Sequence, residues 1–295
     1  MVHLAQIGLG RWGKNLLREF LQVSDVSLIC TTGQEGNVKW LQDNYSTIRH
    51  TMNMGEILQD SSIEGVVVAT PIKTHYLIAR QLLEANKHVF LEKPISTTVE
   101  EAITLQRLRK KHNKVLLVGY VYVYSEALNK IKELVGKDKI VSMSIQWQKW
   151  GSFKEDIRWN LLTHDIAIAI SLMGKPKDIS TIHEKSVRSP IDIGEWELMF
   201  DDGRKCTISI NRASHNAMKK VTVQTENTTY LWSDDKVYSL DGRGAFPRLL
   251  FTSETSALKH ECKDFLTSVQ NQTTPLSDDK LATEVTQIVC SLLSR

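Results

Sequence analysis

The sequence predicts an α/β chain in two parts: a doubly wound parallel sheet of Rossmann type over residues 1–119, then an α+β domain over residues 120–295 with an open, mainly antiparallel sheet. Three observations predict this. Short apolar runs alternate with helical patterns through the first 118 residues. After about residue 119 the apolar residues instead alternate one by one with polar ones, the signature of half-buried strands. A glycine-rich hexapeptide, Gly8-Leu9-Gly10-Arg11-Trp12-Gly13, stands directly between the first strand pattern and the first helix pattern.

In the first part, residues 2–8 read as a buried strand and 12–21 as a helix. Residues 26–30 form a second strand, and 65–70, centred on Val66-Val67-Val68, another. A helix follows over 74–85, a strand over 88–91, a helix over 99–111 and a closing strand over 115–118. Strands that are apolar throughout are buried on both faces, as in a parallel sheet covered by helices.

In the second part, residues 125–134 form a helix, and Val141, Met143, Ile145 and Trp147 alternate as a strand. Trp196, Leu198 and Phe200 alternate before Asp202-Gly203, and Cys206, Ile208 and Ile210 after it, which predicts a hairpin; Asp-Gly favours a type I′ turn. Val221, Val223, Leu231 and Val237 suggest further antiparallel strands. Leu281, Val285, Ile288 and Leu292 make the stripe of a final helix, with Ser277 as the expected N-cap.

Bulk properties exclude several function classes. Apolar residues make up 41% and charged residues 24%, the mix of a soluble protein, and a net charge of +3 gives no basic excess for nucleic acid. Cys30, Cys206, Cys262 and Cys290 are scattered, which argues against a zinc site or a disulfide framework and fits a reducing cytoplasm. Neither a secretory leader nor a membrane-length apolar run is expected.

The glycine loop implies a dinucleotide. Gly8 permits the tight turn, Gly10 lets backbone approach a pyrophosphate, and Gly13 lets helix and sheet come close. Arg11 and Trp12 flank the phosphates, which would rest on unpaired helix N–H groups. The second strand ends Ile29-Cys30-Thr31-Thr32-Gly33, without the carboxylate that selects a free ribose 2′-hydroxyl. Thr31 and Thr32 are compatible with NAD or NADP. The absence of a charge opposing a 2′-phosphate tilts the expectation towards NADP.

Ligands of such sheets lie beyond the carboxyl ends of the strands. Ala69-Thr70-Pro71 and Glu92-Lys93-Pro94 end strands there, on the edge that carries the glycine loop. Thr70, Pro71 and Glu92 would therefore border the cofactor. His75 is either a cap or surface residue or a cofactor contact. Lys93 is either an exposed turn lysine or the group that moves a proton beside a nicotinamide. Further on, Trp159, Asn160, His164 and Ser171 lie on a helix ending at Gly174. There Asn160, His164 and Ser171 form a polar line that is either hydrogen-bonded in the core or faces a cavity.

Taken in order, the glycine loop, Ala69-Thr70-Pro71, Glu92-Lys93-Pro94 and Trp159-Asn160-x-x-x-His164-Asp165 resemble the glucose–fructose oxidoreductase, inositol dehydrogenase and rhizopine-catabolism family, Gfo/Idh/MocA. The segment from Trp159 to Asp165 is most similar to its nucleotide-sugar 3-dehydrogenases and 3-ketoreductases. The resemblance implies an oxidoreductase that uses NAD or NADP on a sugar or cyclitol hydroxyl. Lys93 and His164 would be the catalytic pair, and Glu92 would position the turn, with a cis peptide before Pro94. Asn160, Tyr120 and Trp159 would face the substrate, shaped also by loops 148–156 and 241–251. It further implies a homodimer or homotetramer joined through the second sheet. Asn160 replaces a frequent Asp and cannot take a proton; the neutral amide would leave Lys93 to act as base nearer neutral pH. Leu162 and Tyr120 also depart from the family pattern. The competing expectation is a non-catalytic dinucleotide sensor on the same fold.

Overall fold

The structure, a computed structural model, describes residues 2–136, 138–242 and 246–294. Its contacts divide the chain into two units. One joins the residues up to Tyr120 with Leu258–Thr286; the other joins Val121–Ala257 with the residues from Gln287 on.

The first unit is built on a six-stranded parallel sheet of β1 (His3–Ile7), β2 (Asp25–Cys30), β3 (Arg49–Thr51), β4 (Gly65–Val68), β5 (His88–Glu92) and β6 (Leu116–Gly119). The strand order is β3-β2-β1-β4-β5-β6, so the direction of winding reverses between β1 and β4. That reversal opens the crevice in which doubly wound sheets bind ligands. Helices α1 (Arg11–Phe20), α2 (Glu35–Asn44), α3 (Met54–Gln59), α4 (His75–Glu84) and α5 (Val99–Lys111) connect the strands. Every residue of β4, β5 and β6 is buried, as their unbroken apolar runs predict.

The structure departs from the sequence reading at three places in this unit. Leu258–Thr286, expected with the second domain, groups with the first unit. The reason is aromatic packing: Phe265, on the Ala257–Asn271 helix, meets Phe20 and Phe90 edge-on at 6.2 and 5.8 Å. Ser277 does not cap the final helix. Its hydroxyl donates to the Val118 carbonyl, and Asp278 caps instead, accepting from the Leu281 N–H at 2.9 Å. Finally, α2, β3 and α3 were not foreseen.

The second unit begins with α6 (Glu126–Val135) and β7 (Ile140–Trp150). A π-helical turn over Arg158–Leu162 leads straight into α7 (Thr163–Met173), and Gly174 ends that helix at φ +83°. Seven strands follow: β8 (Asp178–Lys185), β9 (Ile193–Met199), β10 (Lys205–Asn211), β11 (Ala213–Thr225), β12 (Thr229–Ser233), β13 (Lys236–Leu240) and β14 (Arg248–Thr252). Their order is β14-β13-β12-β11-β7-β10-β9-β8, antiparallel except for the pair β7–β10. Met143, Ile145, Cys206, Ile208, Ile210, Val221 and Val223 are buried on one face, while residues of the alternate register such as Gln146 and Thr207 remain partly or fully exposed. The Asp202-Gly203 hairpin forms, but not with a type I′ turn. Only Gly203 takes a positive φ (+84°), and its N–H bonds back to the Phe200 carbonyl. A type I′ turn requires both central residues in that region.

Candidate active site

The glycine loop follows β1 as predicted. Gly8 sits at φ +96°, and a Cβ there would lie 2.3 Å from the Ala69 carbonyl oxygen. A Cβ on Gly13 would lie 2.5 Å from the Gly8 carbonyl oxygen. Gly10 differs: nothing lies within 4 Å of its missing Cβ, so its neighbourhood is open. Gly10 is also the N-cap of α1, which has no side-chain cap and no acidic residue in its first turn. The first amides of α1 are left for an anion, with the positive end of the helix dipole behind them. These features fit the pyrophosphate of a dinucleotide.

Gln6, missed in the sequence, braces this loop from below. Its side-chain amide donates to the Gly8 and Gly13 carbonyls at 2.8 and 2.9 Å from a fully buried position. The available signal was a polar residue between the apolar Ala5 and Ile7.

At the end of β2 the two threonines part company. Thr31 is buried; its hydroxyl accepts from the Gly33 N–H at 3.0 Å and lies 3.1 Å from His50 Nε2. Thr32 is exposed. No carboxylate occupies Thr31-Thr32-Gly33.

The ends of β4 and β5 lie on the same sheet edge. Thr70 is half-buried and accepts from the Thr74 hydroxyl at 2.8 Å, while Pro71 is exposed. The Lys93–Pro94 peptide is cis, as the resemblance implies, and Lys93 is half-buried. Glu92 is buried and accepts hydrogen bonds from the Trp12 indole N–H and, at 3.3 Å, from the Lys93 N–H. Burial pushes its carboxyl up to about 7; the Lys93 charge and the Trp12 hydrogen bond hold it from going higher. Gly119 leaves room for this carboxyl, since a Cβ there would lie 3.0 Å from Glu92 Oε1. Fully buried Glu261 adds a second carboxyl, raised well above the usual range first by burial and then by the Glu92 and Asp264 charges. His75, read as a cap, a surface residue or a cofactor contact, is instead buried, its ring nitrogens facing the Pro94 and Thr70 carbonyls. Tyr120, expected to face the substrate, is likewise fully buried, with its backbone N–H on the Val118 carbonyl.

The second unit carries the other group of predicted residues. Trp159 and Asn160 lie in the π-helical turn, an arrangement that adds a residue per turn and recurs at functional sites. Asp156 leads into the turn. It pairs with the Arg158 guanidinium at 2.7 Å and accepts the Arg158 backbone N–H at 2.8 Å. His164 follows in α7, 8% exposed, edge-on to the Tyr122 ring at 5.2 Å and 6.1 Å from Trp147.

Beside His164 the structure reveals a buried ion pair. Lys219 Nζ lies 2.6 Å from Asp165 Oδ1, and also 3.6 Å from the Trp147 ring centroid and 4.1 Å from that of Tyr122. Burial drives Asp165 up and Lys219 down from their ordinary values, and each partner's charge opposes the shift. The alternation Lys219, Val221, Val223 was the signal that Lys219 faces inward, opposite Trp147 in register. A second buried pair holds the loop before the π turn. Arg212 reaches Asp192 at 2.9 Å and donates to the carbonyls of Ser152, Glu155 and Ile191. Residues 243–245 of the expected substrate loop 241–251 lie outside the described residues.

Fold and glycine loop together define a dinucleotide-binding protein of the Rossmann class. Residues 2–120 match the sequence model of GFO_IDH_MocA, the oxidoreductase family with an NAD-binding Rossmann fold. The chain is 24% identical to scyllo-inositol 2-dehydrogenase (NAD(+)) from Bacillus subtilis, over 96% of its own length and 90% of the relative's. It is 27% identical to scyllo-inositol 2-dehydrogenase (NADP(+)) IolW of the same organism, over 50% and 46%. Other curated relatives are spanned only in part, to 40% and 30% of their lengths. The fold matches that of UDP-N-acetylglucosamine 3-dehydrogenase GnnA from Acidithiobacillus ferrooxidans with a TM-score of 0.89, covering 100% of this chain and 99% of that one at 17% identity.

Proposed function

We propose that this chain is an NAD(P)-dependent oxidoreductase acting on a secondary hydroxyl, or the matching ketone, of a sugar, nucleotide sugar or cyclitol. The observation that carries the reading is Lys93, which follows β5 on the sheet edge that also bears Gly8 and Thr70. Gly8, Gly10, Gly13 and the first amides of α1 hold the pyrophosphate. Arg11, Trp12, Thr31, Thr32, Thr70, Pro71 and Glu92 border the rest of the dinucleotide. NAD(P)+, when bound, supplies the hydride acceptor.

Lys93, as the free amine, takes the hydroxyl proton while the carbon is oxidised, and as the ammonium returns it in the reverse direction. His164 is the second proton-transfer group. Asn160 and Trp159 orient the substrate, Asn160 by hydrogen bonding alone. NADP is the favoured cofactor because no carboxylate at Thr31-Thr32 repels a 2′-phosphate. At least tenfold tighter binding of NAD would reverse that preference.

The half-exposed face of the second sheet joins copies of the chain into a homodimer or homotetramer, which sedimentation would detect. The scattered cysteines Cys30, Cys206, Cys262 and Cys290 support a cytoplasmic location.

The test is the absorbance of reduced cofactor in the presence of nucleotide sugars, free sugars and inositols. Turnover on any of them supports the reading. Tight cofactor binding without turnover across the panel favours a dinucleotide sensor, the alternative that Asn160 and Tyr120 motivate.

A further inference from the structure

His75 opens α4 and is 1% exposed. Its Nδ1 lies 2.8 Å from the Pro94 carbonyl oxygen and its Nε2 2.9 Å from the Thr70 carbonyl oxygen. A carbonyl oxygen can only accept a hydrogen bond, and a neutral imidazole carries one N–H. In the neutral form, whichever nitrogen lacks the proton would direct its lone pair at a carbonyl oxygen less than 3 Å away, in a buried site. Only the imidazolium supplies a donor at both ends.

We propose that His75 is a positioning residue that acts as a doubly protonated strut, clamping the turn after β4 to the turn after β5. The two carbonyls it joins belong to Thr70 and Pro94, so the strut fixes the backbone just after Lys93 relative to the end of β4, the strand next to β1. The charged side chains of the bridged segments are Lys73, Glu92 and Lys93. Glu92 favours the cation when ionised; Lys93, burial and the positive end of α4 oppose it. Two carbonyl acceptors at hydrogen-bonding distance favour the cation, because losing either proton turns one attraction into a repulsion.

The functional part rests on the reading of Lys93 as a proton-transfer residue; the protonation state does not. The test has two arms. In the wild-type protein, nitrogen-15 NMR of the ring, assigned by comparison with His75→Gln, should show both nitrogens protonated at pH 7. A single protonated nitrogen overturns the proposal. In the second arm, His75→Gln keeps a donor for one carbonyl and loses the other. It should lower kcat roughly 10²-fold, the scale of a small misplacement at a reacting group, with the dissociation constant for NADPH unchanged. Loss of cofactor affinity with kcat intact would instead make His75 a cofactor residue and overturn the positioning role. Wild-type turnover in Lys93→Ala would remove Lys93 from the chemistry, yet leave the NMR result standing, so the two failures are distinguishable.

Discussion

The indole N–H of Trp12, in the first turn of α1, donates to the buried carboxyl of Glu92 at the end of β5. The contact ties the glycine loop to the turn that carries Lys93, and places the partner of that indole where its own charge is costly.

A pH dependence of stability follows. The folded protein holds the Glu92 proton to about pH 7, whereas a carboxyl of the usual 4.5 loses it earlier on unfolding. Between those values the native state binds more protons, so this contribution is complete below 4.5 and declines as pH rises through 7. The full decline is about 3 kcal/mol. Glu92→Gln keeps an acceptor for Trp12 and removes the titration. Urea unfolding between pH 5 and 7.5 should therefore show a shallower fall in stability for the variant than for wild type. Parallel curves would contradict the burial argument.

Two glycines of the loop, Gly8 and Gly10, should separate fold from binding. Gly8→Ala places a Cβ 2.3 Å from the Ala69 oxygen at a positive φ, and should destabilise the first unit by more than about 1 kcal/mol. Gly10→Ala meets nothing within 4 Å. It should leave the melting temperature unchanged and weaken NADPH binding, because the added methyl fills the space where backbone approaches the phosphates. Equal affinity in Gly10→Ala and wild type would place the pyrophosphate elsewhere.

The Lys219–Asp165 pair predicts a non-additive mutant cycle. Lys219→Met leaves Asp165 buried without its cation and should cost about 3–5 kcal/mol. Removing the carboxyl as well, in Lys219→Met with Asp165→Asn, should recover part of that loss. Additive costs in chemical denaturation would indicate that the two side chains do not act as a pair.

What the sequence revealed follows from how much each element buries. Strands β4, β5 and β6 are mainly apolar and legible because both faces are covered; β1 is covered from Leu4 to Ile7. By contrast α2 buries only Leu41, α3 only Ile57 and β3 only Thr51, so no stripe marks them. Phe265 could not be assigned to the first unit because its partners Phe20 and Phe90 are remote in sequence. Within the site, Gly8, Gly13, Glu92 and Lys93 were legible because local backbone geometry demands them or a strand ends there. Lys219 and Asp165 meet across 54 positions, and His75 across 19 from Pro94, pairings that no local spacing encodes.

The proposed role of Lys93 is to move the substrate proton. The most direct measurement is turnover and NADPH affinity of Lys93→Ala, on whichever sugar, nucleotide sugar or cyclitol the wild-type protein oxidises or reduces. If Lys93 moves the substrate proton, kcat falls roughly 10²–10⁴-fold with cofactor affinity nearly unchanged. Wild-type turnover in the variant would contradict it.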